Sequence, residues 1–189
     1  NASRLRAGEQ VGVTLHIASI LGSWGRRSPT YFPSPDDLTH GNDWLLGYQR
    51  EHPDRVRGYV AVNPNYTAHA LAEIDRCLDA GMIGIKLAAS RRCTDPLLHP
   101  ICERAAARGV PILHHIWQHR RHEWPGQEAS DGVELCQLAR RHPRVRFILA
   151  HIGGGGDWLH TLHAARDVPN VYLDLSGSGV DGGMLEGAL

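Results

Sequence analysis

Six apolar runs rich in β-branched residues recur along this chain, each with a polar residue near its carboxyl end and each separated from the next by a segment with helical spacing. They occupy 13–21, 57–64, 82–88, 110–116, 145–152 and 171–177. Strand, helix, strand at about 25 to 35 residues per unit calls for parallel strands joined by right-handed helical crossovers. Two architectures satisfy that pattern, a doubly wound open sheet and a (β/α) barrel. The strand ends separate them. They read Ser19, Asn63, Lys86, His115, His151, and Asp174 with Ser176. An open sheet gathers functional groups at one or two strand ends, whereas a barrel points every strand end at one centre. A polar residue at all six favours the barrel, so the expected fold is α/β, parallel and TIM-barrel-like.

The intervening segments carry good helix signals. Ser34-Pro35-Asp36-Asp37 offers an N-cap, a proline at the first helical position and an acidic residue at the third. Leu71, Ile74 and Leu78 share a face of a helix that Gly81 ends. Pro100 opens another, with Ile101, Cys102 and Ala105 inward and Gly109 as its stop. A fourth carries Val133, Leu135, Cys136, Leu138 and Ala139, and a fifth presents Trp158, Leu159, Leu162 and Ala165 as its apolar face.

Composition narrows the function. At 189 residues and 42% hydrophobic, the chain can bury one core, and a single domain over 3–189 is expected, with residues 1–2 set aside as a tag remnant. Twenty basic and twenty acidic residues cancel and no basic run occurs, which argues against nucleic-acid and membrane-surface partners and for a small-molecule substrate. No run approaches the ~20 apolar residues of a membrane span, and no signal pattern is present, so a cytoplasmic location is expected. Cys77, Cys93, Cys102 and Cys136 form no C-x-x-C pair and read as buried thiols. Of the twenty basic residues only Lys86 is lysine, which marks it as a place where a guanidinium cannot replace an amine.

Two histidines at the carboxyl ends of consecutive parallel strands, His115 and His151, point to metal binding or acid–base work, since imidazole titrates near ~6.5 and its neutral nitrogen binds divalent ions. Strand alternation lets only one of the adjacent His114 and His115 face the barrel interior; if His115 does, His114 faces the helices. By the same rule Tyr172, Asp174 and Ser176 share the inward side of their strand. Gly153 to Gly156 after His151 would let a substrate approach backbone amides. Lys86 could be a carbamylated bridge between metals, a Schiff-base amine or a cation for a substrate carboxylate. Asn63, Trp24 and Trp117 are expected at the mouth of the pocket, together with Asp174 and Ser176, as substrate contacts. His119 and His122 read as solvated, and His16 as a hydrogen-bonded core residue.

Five stretches in this order carry a resemblance: H-P-D-R-V-R-G-Y-V-A-V-N-P at 52–64, A-G-M-I-G-I-K-L at 80–87, G-V-P-I-L-H-H at 109–115, F-I-L-A-H-I-G-G at 147–154 and N-V-Y-L-D-L-S-G at 170–177. Together they resemble the amidohydrolase superfamily, in the amidohydrolase 2 branch of metal-dependent hydrolases and aminocarboxymuconate-semialdehyde-type decarboxylases. The resemblance implies a (β/α)8 barrel holding a divalent metal, zinc by expectation, in which His115 is a metal ligand. It makes His151 an acid–base residue or a second-metal ligand, and it puts Lys86 where two-metal relatives carry a bridging lysine. The family's first-strand H-x-H pair and last-strand aspartate have no counterpart here. The expectation is therefore an incomplete barrel with about six of eight strands and two exposed parallel edges that a homo-oligomer could cover. Three functions follow: a metal-dependent hydrolase of a small carbonyl-containing substrate, a metal-dependent non-oxidative decarboxylase of a small carboxylic acid, or an inactive fragment or assembly protein short of the three ligands usual at catalytic zinc.

Overall fold

A computed structural model describes residues 2–21, 28–117, 125–152, 158–176 and 184–189. Helix α1 (Ala2–Gln10) leads into β1 (His16–Ala18), and the chain then runs α2 (Pro35–Glu51), β2 (Val56–Val62), α3 (Thr67–Asp79), β3 (Gly84–Leu87), α4 (His99–Arg108) and β4 (Ile112–His115). It continues through α5 (Gly132–Arg141), β5 (Phe147–Ala150), α6 (Trp158–Ala165), β6 (Val171–Leu173) and α7 (Met184–Ala188). All six strands are parallel and lie in chain order, β1-β2-β3-β4-β5-β6, in one sheet curled into an incomplete barrel. The expected α/β architecture is what the structure has.

The local signals act as their chemistry dictates. Ser34 caps α2 by accepting a hydrogen bond from the Asp37 amide, with Pro35 behind it. Asp131 and Glu134 form a reciprocal capping box on α5. Gly109 ends α4 at a φ of 66°, a left-handed conformation that glycine enters without a Cβ clash.

Period-2 alternation divides the sheet into two faces. Val60, Val62, Ile85, Leu87, Ile112, Phe147 and Leu149 point outward into the main apolar cluster, where Ile74, Ile101, Cys102, Leu135 and Leu138 of α3, α4 and α5 meet them. The four cysteines are free and buried in or beside that layer. Buried Asn42 of α2 ties helix to strand, donating to the Ala61 carbonyl and accepting from the Ala61 amide, each at 3.0 Å. Residues of the other face, among them Tyr59, Lys86, Leu113 and Ile148, line the concave side.

Two expectations need correction. Leu159 is exposed, and α6 instead turns Thr161 inward, so close to Gly132 that a Cβ there would meet its hydroxyl at 2.7 Å. His16 is not a hydrogen-bonded core residue: it starts β1, packs its ring against Gly8, and its buried Nε2 has no partner among the described residues. No helix among the described residues is long and apolar enough to cross a membrane.

Candidate active site

The concave face opens into a cleft of about 410 Å³ at the carboxyl ends of the strands, lined by Lys86, His115, His151, Asp174, Ser176, Ser19 and a wall of Ile17, Leu21, Tyr59, Leu113, Ile148 and Ala150. That size suits a small molecule. Five of the six polar strand ends meet there.

Lys86 reaches the cleft from β3 and is 4% exposed. Burial pulls its ammonium down to about 8, because the charged form loses water, while Asp174 pulls the other way. His115 closes β4 and is 5% exposed. Burial, then the Lys86 charge, then His151 hold it down to about 3, so its imidazole stays neutral. Neither ring nitrogen has a hydrogen-bond partner among the described residues. Aromatic rings hold it instead: Trp117 stacks on it with centroids 5.8 Å apart at 20°, and Tyr31 lies at 5.8 Å and 36°. The His151 ring stands edge-on to it at 5.4 Å and 83°.

His151 follows β5 directly. Its Nδ1 lies 3.0 Å from Asp174 Oδ2 and 3.0 Å from Ser176 Oγ. The Ser176 hydroxyl donates to Asp174 Oδ2 at 2.7 Å and its amide to Asp174 Oδ1 at 3.1 Å. Burial pushes the Asp174 carboxyl up, but the hydrogen bonds from His151 and Ser176 outweigh it and bring the group to about 2. A carboxylate can only accept, so it assigns the proton of neutral His151 to Nδ1 and leaves Nε2 basic. That arrangement can move a proton to or from a bound substrate.

The remaining sequence candidates lie elsewhere. Asn63 does not line the cleft: it is fully buried, donates to the Pro33 carbonyl at 2.9 Å, and accepts from Asn65 to cap a short 3-10 turn at Pro64–Tyr66. Its side chain is consumed by the turn that β2 enters. Trp117 touches His115 rather than the cleft wall. Trp24, the glycines after His151, His119 and His122 lie outside the described residues. Sequence reasoning missed Tyr59, Leu113 and Ile148, which alternation through Lys86 and His115 would have placed, and Tyr31, whose loop carries no such signal.

As a metal centre, the site is partial. A buried neutral imidazole with two unpartnered nitrogens has the chemistry of a ligand, and His151 Nε2 and Asp174 add donors nearby. Yet no three His, Cys, Asp or Glu side chains among the described residues are arranged to hold an ion. His115 fits the role; a complete ligand set is not assembled by the described residues.

A family model described as Amidohydrolase matches residues 37–184. No curated protein matches the chain. Among solved structures, an uncharacterized TIM-barrel protein from Bordetella bronchiseptica superposes with a TM-score of 0.68 at 14% identity, over 90% of this chain and 57% of its own. A 2,6-dihydroxybenzoate decarboxylase from Rhizobium gives 0.69 at 18%, over 98% and 72%. A dihydroxybenzoic acid decarboxylase from Polaromonas, solved with manganese and the inhibitor 2-nitroresorcinol, gives 0.66 at 18%, over 98% and 70%. A chain from Acinetobacter baumannii described as a probable 2-pyrone-4,6-dicarboxylic acid hydrolase also matches, with a TM-score of 0.61 at 14% identity, over 99% of this chain and 64% of its own. At these identities the likeness is one of fold.

Proposed function

This chain belongs to the amidohydrolase family, and from that premise we propose that its cleft is the proton-transferring part of an active site that works with a divalent metal on a small carbonyl-containing substrate. The observation that carries the reading is the convergence of Lys86, His115 and the His151–Asp174–Ser176 cluster on one cleft. Hydrolysis is the leading reaction. In it, Asp174 holds the proton on Nδ1 of His151, and Nε2 takes a proton from the attacking water and returns it to the leaving group. Ser176 keeps Asp174 in place. His115 is where this chain would hold the metal, whose contribution when bound is Lewis-acid polarisation of the substrate. Manganese and zinc are both candidates, manganese because the Polaromonas structure contains it.

Decarboxylation is the second reading, favoured by Lys86. A buried amine that is cationic at neutral pH, in a cleft whose other walls are largely apolar, suits a substrate carboxylate. His151 would then deliver a proton to the carbon that loses carbon dioxide.

The test is turnover of small lactones, amides and aromatic carboxylates in H2(18)O, with Mn2+ or Zn2+ supplied. One (18)O atom in the organic product marks hydrolysis. Carbon dioxide release with no (18)O in the organic product marks decarboxylation. Replacing His151 by alanine should slow either reaction by about 10²- to 10⁴-fold. Turnover that survives this change removes His151 from the mechanism, and a chain that binds neither metal ion and converts nothing supports the binding or assembly reading.

A further inference from the structure

His115 presents an unusual question of support: its imidazole has no hydrogen bond of its own among the described residues, so something else must fix where it points. His114 lies on the opposite face, fully buried against the apolar helix layer. An imidazole there is costly unless both nitrogens are partnered. They are. Nδ1 lies 3.0 Å from the carbonyl oxygen of His115, which can only accept, so Nδ1 carries the proton. Nε2 is therefore the acceptor, and the Cys93 thiol donates to it at 3.4 Å. The chain of contacts continues: the Cys93 amide donates to Ser130 Oγ at 2.7 Å, the Ser130 carbonyl accepts from the Trp117 amide at 3.0 Å, and the Trp117 ring stacks on His115. The loop after β3, the segment before α5 and the end of β4 are thus tied in a closed circuit that begins and ends at His115.

We infer that His114, backed by Cys93, is the positioning residue that sets the backbone, and through it the imidazole, of His115. The inference rests on the reading of His115 as a metal ligand. A leucine at 114 would suit the apolar layer by volume and polarity, so a purely structural role and a positioning role make opposite forecasts.

The experiment measures Mn2+ and Zn2+ affinity by titration calorimetry on the full chain, alongside thermal midpoints, for His114→Leu, His114→Asn, Cys93→Ala and His115→Ala. His114→Leu should keep the midpoint within a few degrees while weakening metal affinity by about 10- to 100-fold, the usual cost of removing a group that orients a ligand. His114→Asn, which retains a donor near the Nδ1 position, should recover most of that loss. Cys93→Ala provides the same reading if His114→Leu does not fold. If His115→Ala loses the metal while His114→Leu and Cys93→Ala bind it as the parent does, the positioning role is overturned and the site reading stands. An affinity loss that follows the midpoint equally in the leucine and asparagine variants also overturns it. If the parent binds neither ion, or His115→Ala binds metal as the parent does, the site reading itself fails and the positioning role falls with it.

Discussion

Asp174 decides which nitrogen of His151 carries the proton, and that choice is separable from the presence of the imidazole. Asp174→Asn keeps the size of the side chain but can donate to Nδ1, which would move the proton to Nε2. The turnover number should fall by about 10²- to 10⁴-fold with KM little changed, as steady-state kinetics would show. Lys86 supplies a pH signature. Its native value of about 8 lies below the ~10.4 of an unfolded lysine, so between these values the unfolded chain binds more protons and stability rises with pH. Below about 8 both states are protonated, and the buried charge costs the native state about 3 kcal/mol relative to the alkaline limit. Urea denaturation from pH 7 to 11 should show that rise in the parent and its loss in Lys86→Met. Because Lys86 is the only lysine, lysine labelled with (13)C at Cε gives one side-chain resonance, whose midpoint should lie near 8 and move down in Asp174→Asn. At this scale much of the cleft was legible: rarity singled out Lys86, and alternation separated His115 from His114. Asn63 was misplaced because a polar strand end does not reveal whether its side chain is spent on the next turn.

Gly84 shows how one missing side chain shapes a strand. A Cβ there would meet the Tyr59 ring at 2.7 Å, so the ring lies over the backbone of β3 and forms part of the cleft wall. Gly84→Ala should destabilise the fold by about 1–3 kcal/mol through overpacking. An unchanged urea midpoint would mean that the ring yields freely. The elements themselves were largely legible. Five of the six strands fall inside the apolar runs and β2 starts one residue before its run, while the caps at Ser34 and Gly109 act as their residue types dictate. The ladders are shorter than the runs, as at β1, where only His16–Ala18 pairs within 13–21. Hydrophobicity marks burial, and hydrogen-bonded pairing covers only part of a buried segment. The inner face of α6 was misjudged because Thr161 packs by fit against Gly132, a tertiary contact that no local period encodes. Helix α7, of five residues, is too short to carry a period.

Curling six parallel strands without closing them leaves β1 and β6 each with one side unpaired among the described residues. Each edge strand carries a half-exposed apolar side chain: Ile17 of β1, which also lines the cleft, is 48% and Tyr172 of β6 is 52% exposed. Open, apolar parallel edges are templates for further strands. The chain should therefore associate as its concentration rises in sedimentation velocity, and Ile17→Lys should shift it towards the monomer. A monomer at every concentration would show that the edges are shielded. That the barrel is incomplete was visible from the strand count and from the absent H-x-H and aspartate; which surface meets the edges depends on neighbours that sequence periodicity does not describe. The order of the sheet also has a bearing on synthesis. Since every strand pairs with the one made just before it, βα units can dock one by one as the chain leaves the ribosome. Lys86 and His115 would be seated early, and His151 would acquire its carboxylate only when β6 arrives. A nascent chain stalled before that strand would hold Lys86 and His115 in place but not yet the His151–Asp174 pair.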